Sequence, residues 1–246
     1  MKKSNLRQNE LDCLKKIKDS YTCFKGIKKE FDNSDSLIMK SILTSAHQNE
    51  KHSDFPDFFF DGGIMEHFEV TASDETRKGS QYKADDAYCQ REKEKHFKQL
   101  DKEFMESPHY PGTITTQTAE DTHECFSYEA FKKSFKRNTN KHLVSLRKSL
   151  YNGKIVVFLI EQQGARLCIY ANNRFYKFYT LSEDKNLLVY IKENMSDVNY
   201  IIFTASDSYE ILDLSKIDSM ISRAKDNQDI RGGTQRNISL KLYIDM

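Results

Sequence analysis

The sequence predicts an α/β protein with a mixed β-sheet flanked by helices and a helical N-terminal region. Two continuous apolar runs, at residues 155–160 and 200–203, are typical of strands that are buried on both faces. A helical pattern at residues 184–194 separates them, which favours parallel strands joined by right-handed crossovers. An aromatic-rich segment at residues 55–71 adds a predicted antiparallel hairpin to this sheet.

Length and composition favour one folded domain. The chain has 246 residues, of which 38% are hydrophobic and 12% aromatic, enough to build a core. We predict a single α/β domain over residues 1–246. Its parts are a helical N-terminal region at 1–50, a core at 51–214, and a helix followed by an edge strand at 215–246.

Targeting signals and metal-binding cysteine patterns are missing from the sequence. No stretch approaches the roughly 18 apolar residues that a membrane span needs, and the start leads into no apolar signal region, so we expect a cytoplasmic protein with no membrane partner.

The five cysteines are scattered and form no C-x-x-C pair. This spacing argues against a disulfide framework and against a zinc site.

Helical patterns dominate the first half of the chain. Apolar residues recur every three or four positions at 6–31, and a second helix is expected from Ser36. Residues 76–105 are charged and contain few breakers, so they predict a long, partly exposed helix. Prolines and a glycine within residues 107–125 predict a surface loop. The second helix is expected to turn four residues inward: Leu37, Ile38, Ile42 and Leu43.

The second half adds further helices and strands. A helix is expected from Tyr128 to about Gly153, a strand pair at 166–179 and a helix at 213–224. Alternating apolar residues at 238–244 predict a last strand at the edge of the sheet. The preceding basic segment, residues 231–236, predicts a flexible loop that approaches a phosphate or serves only as a connection.

The hairpin carries the clearest chemical pattern. With Asp61-Gly62 as the turn, Asp57 lies directly opposite Glu66, with Cβ atoms about 5 Å apart. With Gly62-Gly63 as the turn, the same two residues are only diagonal neighbours. Two carboxylates on one face repel each other unless a cation or a raised pKa relieves them. A hard divalent ion such as Mg²⁺ is therefore the natural ligand.

The order of these residues resembles the PD-(D/E)xK superfamily of restriction-endonuclease-like nucleases. Pro56-Asp57 on one strand, a turn, and Glu66 or Glu69 on the next strand carry the resemblance, which follows the element order over residues 36–214. It implies a restriction-endonuclease-like fold in which Asp57 and Glu66, with Glu69 as the alternative, bind Mg²⁺ or Mn²⁺. It also implies that the chain hydrolyses nucleic acid, DNA in preference to RNA.

The lysine of the family motif is missing from its usual place. Phe68 stands two residues after Glu66, and Thr71 stands two residues after Glu69. Some variants of the fold take this lysine from the following helix. The resemblance then implies that Lys78, or Arg77 beside it, neutralises the developing negative charge on the phosphate.

A basic stretch supplies candidate contacts to nucleic acid. Seven Lys or Arg residues against one acid lie between Phe126 and Tyr151. A solvated helix face explains these basic residues as well as contacts to nucleic acid do. The net charge of +1 does not distinguish the two interpretations. We interpret His67 as a packed or surface side chain. The candidates for phosphate contacts are Lys132, Lys133, Lys136 and Arg137.

These patterns predict a Mg²⁺-dependent endonuclease-like protein, of the kind found among bacterial restriction and defence factors. The missing lysine supports an alternative: a catalytically inactive member of the same fold that binds nucleic acid or a protein. A third hypothesis is an interaction protein whose hairpin and long charged helix form an assembly surface, and a homodimer is compatible with all three. No P-loop, G-x-S-x-G, H-E-x-x-H or G-x-G-x-x-G motif occurs, which argues against those enzyme classes.

Overall fold

Helices and strands alternate along the chain in the computed structural model, which describes residues 2–23, 27–30, 33–50, 55–73, 80–106, 116–151, 153–164, 166–205, 208–226 and 228–239. The helices within these residues are α1 (Lys2–Cys23), α2 (Asn33–Ser45), α3 (Ser80–Glu106), α4 (Tyr128–Lys148), α5 (Lys185–Asn194) and α6 (Ile217–Arg223). The strands are β1 (Ile27–Glu30), β2 (His47–Gln48), β3 (Phe58–Phe60), β4 (Gly63–Thr71), β5 (Thr116–Ser127), β6 (Ile155–Gln163), β7 (Leu167–Ala171), β8 (Arg174–Phe178), β9 (Tyr200–Ala205), β10 (Ser208–Asp213) and β11 (Asp229–Ser239).

The chain divides into two compact units, and the first contains a mixed seven-stranded sheet. This unit comprises Met1–Val70, Lys132–Gln163 and Thr180–Asn227. Its strand order is β1-β10-β9-β6-β4-β3-β2. β6 pairs in parallel with β9, and β1 pairs in parallel with β10. β10 and β9 are antiparallel, as are β3 and β4.

β4 and β6 are neighbours that run in the same direction. The amide of Ile155 at the start of β6 donates to the carbonyl of Gly62, just before β4. The side chain of Gln163 at the end of β6 contacts Glu69 near the end of β4. Because β6 is also parallel to β9, the carboxyl ends of β4, β6 and β9 lie at the same edge of the sheet.

A hydrophobic cluster joins α1 and α2 to the sheet of the first unit. The apolar stripes of α1 and α2 pack against side chains from β3, β4, β6, β9 and β10. Each large side chain that is fully buried stabilises the fold by about 1.5–3 kcal/mol. The cluster includes Leu14, Ile17, Met39, Ile42, Phe58, Met65, Val157, Leu159, Ile202 and Ile211.

The second unit contains an antiparallel four-stranded sheet. It comprises Thr71–Phe131, Gly164–Tyr179 and Gln228–Met246, and its strand order is β5-β11-β7-β8. Asn172 and Asn173 join β7 to β8 with φ angles of 52° and 59°. Asparagine tolerates this left-handed conformation, which tight hairpin turns require.

Several predictions from the sequence are confirmed. The chain is α/β with a mixed sheet, and the helices at α3, α4, α5 and α6 start within a few residues of their predicted positions. In the β3–β4 hairpin Phe60 pairs with Gly63, so Asp61-Gly62 form the turn. Gly62 has a φ of 88°, which explains glycine there. Among the described residues, no helix combines the length and apolar character needed to cross a bilayer.

Two predictions for the N-terminal region are wrong. The first helix ends at Cys23, and β1 follows at Ile27–Glu30 instead of a continued helix. Leu37 and Ile38 are 70% and 41% exposed instead of facing inward. The buried stripe of α2 runs through Met39, Ile42 and Leu43, at helical spacing, and the two exposed residues lie off that stripe.

Strands replace two predicted loops. β5 begins at Thr116 within the expected loop at 107–125, because its threonines favour extended backbone and the prolines precede it. The basic segment at 231–236 belongs to β11, where a register shift between Arg231 and Gly233 accommodates the glycines. β11 lies between β5 and β7 and is not an edge strand. β10 was not predicted, and residues 240–244 lie outside the described residues.

β4 approaches β6 closely at Gly63. A Cβ atom at Gly63 would overlap the carbonyl oxygen of Ile155 and the ring of Phe60, whereas the space around Gly62 is open. We expect Gly63→Ala to lower the free energy of unfolding by about 1–3 kcal/mol, because the backbone oxygen cannot move without disturbing the strand pair.

Gly62→Asn is the matched control in the same turn, since asparagine tolerates a positive φ. This control should lower the free energy of unfolding, measured in urea, by less than about 1 kcal/mol. Equal stability of Gly63→Ala and wild type would contradict the close approach of the two strands.

Candidate functional site

Polar side chains gather where β4 and β6 end. Gln163 Nε2 donates to Glu69 Oε1 at 3.3 Å, and His67 Nε2 lies 3.2 Å from Glu161 Oε2. These four residues come from two neighbouring strands that run in the same direction. Open α/β sheets bind ligands in the crevice outside the carboxyl ends of such strands. This edge of the sheet is therefore the candidate functional site.

Alternation along β4 divides its polar residues between two faces. Glu66 and Phe68 share one face, where both meet His142 of α4: Glu66 Oε1 lies 2.6 Å from Nδ1, and the Phe68 ring stacks on the imidazole at 4.5 Å. His67 and Glu69 share the other face, toward Glu161 and Gln163. Glu69, the predicted alternative to Glu66 as metal ligand, therefore lies on the opposite face of β4 from Glu66, and the two do not share one site.

Asp57 and Glu66 are neighbours, as the Asp61-Gly62 turn predicts. The Asp57 amide donates to Glu66 Oε2 at 3.1 Å, and the His67 amide donates to Asp57 Oδ2 at 2.8 Å. Burial raises the pKa of Asp57 to about 6, with a further contribution from the charge of Glu66. Burial also raises the pKa of Glu66 to about 7. Internal hydrogen bonds thus hold both carboxyl groups inside the protein.

Glu66 and His142 form a buried, hydrogen-bonded pair. Burial lowers the pKa of His142 to about 4, while it raises that of Glu66. Both directions favour the neutral forms of the two groups. This pair links β4 to α4 and occupies the second oxygen of Glu66. Its arrangement is that of a structural hydrogen bond.

Cys13 of α1 joins the other face of the site. One ligand atom each of Cys13, His67 and Glu161 lies within 4.8 Å of the other two. Cys13 and His67 are buried, while the Glu161 side chain is 25% exposed. Burial and then the charge of Glu161 raise the pKa of the Cys13 thiol. Burial lowers the pKa of His67, but its hydrogen bond to Glu161 and that residue's charge outweigh this effect and raise it.

An accessible cleft leads to this face. It has a volume of about 280 Å³ and is lined by Asn9, Asp12, Cys13, Lys16, Glu161 and Gln163. Burial raises the pKa of Glu69, and the charges of Glu161 and Glu10 raise it further against the opposing effect of His67. The charges of Glu161 and Glu10 thus disfavour ionised Glu69, and a bound cation would relieve this repulsion.

The predicted basic residues lie on α4, close to the end of β4. Asn138, the residue after Arg137 in α4, donates from Nδ2 to the backbone carbonyl of Glu69 at 2.9 Å. Lys133, Lys136 and Arg137 are exposed and Lys132 is half-buried. Lys136 Nζ lies 5.1 Å from the centre of the Tyr190 ring. The predicted cations of the following segment, Arg77 and Lys78, lie outside the described residues.

Sequence reasoning missed several residues of the site. Glu161 and Gln163 alternate directly after a buried apolar strand, and this change from apolar to polar at a strand end was a usable signal. Cys13 lies on the buried stripe of α1 and His142 on that of α4, so neither stands out from its helix. His67 was expected to be packed or on the surface; it is buried beside Glu161.

Comparison with known proteins gives no family for this chain. No protein-family model, no curated protein and no solved structure matches it. The resemblance to the PD-(D/E)xK nucleases therefore rests on its motif residues and element order, and it stays a prediction.

The Glu66–His142 pair predicts a pH dependence of stability. The folded-state pKa of Glu66, about 7, exceeds its ordinary value of 4.5, so this stabilising contribution is present below pH 4.5 and is lost as the pH rises through 7. Glu66→Gln mimics the protonated acid: its oxygen accepts from Asp57, and its amide donates to His142. We expect this variant to gain up to about 3 kcal/mol on wild type between pH 4.5 and 8.

Urea unfolding at several pH values measures this gain. Glu193→Gln, at an exposed position of α5, is the control and should follow the wild-type profile. Parallel profiles for Glu66→Gln and wild type would show that Glu66 is not protonated in the folded state at neutral pH.

Proposed function

We propose that this chain is a divalent-metal-dependent hydrolase that cuts phosphodiester bonds in nucleic acid. The observation that carries the proposal is the position of Glu69 and Glu161 at the carboxyl ends of two neighbouring strands, where the charge of Glu161 helps to raise the pKa of Glu69 and Gln163 donates to Glu69. Two carboxylates supply oxygen donors, which suit Mg²⁺ or Mn²⁺. The donor set thus fits the ion that the motif resemblance implies.

Each residue of the site has a distinct role in this proposal. Glu69 and Glu161 hold the ion, which when bound supplies a Lewis acid that activates water and polarises the phosphodiester. His67 positions Glu161 through their 3.2 Å contact. Asp57 positions His67 by accepting from its backbone amide, and Glu66 anchors Asp57. Asp57 and Glu66 are therefore positioning residues in this proposal.

The basic side chains of α4 support a nucleic-acid substrate. Asn138 connects the helix to the backbone of Glu69, so Lys133 and Arg137 stand within about one and a half turns of the carboxylate strand. Lysine and arginine gain binding free energy at phosphates by releasing condensed counterions. The proposed substrate backbone thus passes from α4 around the carboxyl ends of the strands, where one phosphate meets Glu69 and Glu161 on the other face of the sheet.

Element order and motif spacing support a restriction-endonuclease-like fold. The β3–β4 hairpin followed by α4, β6 and β9 has the order that a restriction-endonuclease-like core implies. Gln163 stands two residues after Glu161, where the family motif carries lysine. An amide holds no positive charge, and this difference favours a second candidate function, namely a member of the fold that binds nucleic acid without cutting it.

Nuclease assays on single- and double-stranded DNA and RNA test this proposal. We expect cleavage with Mg²⁺ or Mn²⁺ and none with chelator. Glu69→Gln and Glu161→Gln should each lower the cleavage rate by about 10²-fold or more, because each removes a charge that holds the ion. Asp61→Asn, at the exposed turn of the same hairpin, is the matched control and should cut at the wild-type rate.

Two outcomes would contradict the proposal in different ways. Wild-type cleavage rates in both glutamine variants would remove Glu69 and Glu161 from the site. Nucleic-acid binding without cleavage under any metal condition would favour the inactive member of the fold.

A further inference from the structure

We infer that Cys13, His67 and Glu161 form a binding site for a borderline divalent metal ion of the Zn²⁺ class. The three side chains come from α1, β4 and β6, and their ligand atoms lie within 4.8 Å of one another. A thiolate and an imidazole select Zn²⁺, Co²⁺ or Fe²⁺ over Mg²⁺. The site shares Glu161 with the oxygen ligands proposed for Mg²⁺, but its thiolate and imidazole give it a different ligand chemistry, and it does not rest on the hydrolytic proposal.

The spacing of two ligands already matches a tetrahedral ion. Zn–N and Zn–O bonds of about 2.0–2.2 Å put neighbouring ligand atoms about 3.3 Å apart. His67 Nε2 and Glu161 Oε2 lie 3.2 Å apart. A Zn–S bond of about 2.3 Å requires about 3.5 Å between Cys13 Sγ and each of these atoms, so an adjustment of roughly 1 Å completes the set.

The surroundings provide an open coordination position and a route to it. Three protein ligands leave the fourth position of a tetrahedral ion for water or a substrate, which is the arrangement of catalytic zinc sites. The cleft of about 280 Å³ is lined by both Cys13 and Glu161, so solvent reaches the ligands from the side of α1. Ions can therefore enter without opening the sheet.

The surrounding contacts also hold one ligand in place. The backbone amide of His67 donates to Asp57 Oδ2 at 2.8 Å, which fixes this residue of β4. Among the described residues, Cys13, His67 and Glu161 are the group of three Cys, His or acidic side chains whose ligand atoms all lie within 4.8 Å of one another. The three residues lie far apart in the sequence, so no short motif such as C-x-x-C marks them.

Cobalt spectroscopy tests this site without any nucleic acid. The 246-residue chain is stripped of metal with a chelator and titrated with Co²⁺, and Zn²⁺ is then added as competitor. We expect thiolate-to-Co²⁺ charge-transfer absorption in the near ultraviolet, with intense visible bands of tetrahedral coordination, both saturating at one ion per chain. Zn²⁺ should abolish both signals and should raise the melting temperature of the wild type.

Variants assign the signal to its ligands. Cys13→Ser should lose the charge-transfer band and the Zn²⁺-dependent rise in melting temperature, and His67→Gln should weaken Co²⁺ binding by about 10–100-fold or more. Cys168→Ser, at a second buried cysteine, is the matched control and should keep the full spectrum. Circular dichroism confirms that each variant is folded.

The outcomes separate this inference from the hydrolytic proposal. Glu69→Gln should lose nucleic-acid cleavage yet keep the thiolate band, whereas loss of the band with Cys13→Ser identifies the metal site. A wild-type protein that binds Co²⁺ with only weak octahedral bands would overturn the inference, because the ion would then sit on oxygen ligands. A charge-transfer band that persists in Cys13→Ser would overturn it as well.

Discussion

The pairing of β4 with β6 is the constraint on which the site depends. Gly63 lets the carbonyl oxygen of Ile155 approach closer than any side chain would permit, which sets the two strands side by side at their starts. Because both strands run in the same direction, the pairing then brings His67 to Glu161 and Glu69 to Gln163 at their ends. A change at the beginning of β4 therefore alters chemistry at its far end.

Alternation along β4 gives its two faces different tasks. On one face the Glu66 carboxyl is buried, and burying an unpaired charge would cost several kcal/mol. The Asp57 amide donates a hydrogen bond to Glu66, Glu66 also contacts His142, and the pKa of Glu66 is raised. These effects avoid the cost of an unpaired charge, so this face holds the hairpin against α4. On the other face the Glu161 side chain is partly exposed beside a cleft, so this face can take up a ligand.

Local patterns predicted the hairpin well because its information is local. Asp61-Gly62 supply the turn, and the turn fixes the register that brings Asp57 to Glu66. The neighbour of β4 in the sheet is not encoded locally, since β6 begins more than eighty residues later, and so Glu161 was missed. Cys13 was missed for another reason: on a buried helical stripe a cysteine looks like any small apolar residue.

Anomalous diffraction from crystals grown with Mn²⁺ locates the bound ion independently of any activity. We expect a peak within bonding distance of the carboxylates of Glu69 and Glu161, at the carboxyl ends of β4 and β6. A peak between Asp57 and Glu66 on the opposite face, or no peak near these strand ends in fully loaded crystals, would contradict the proposal.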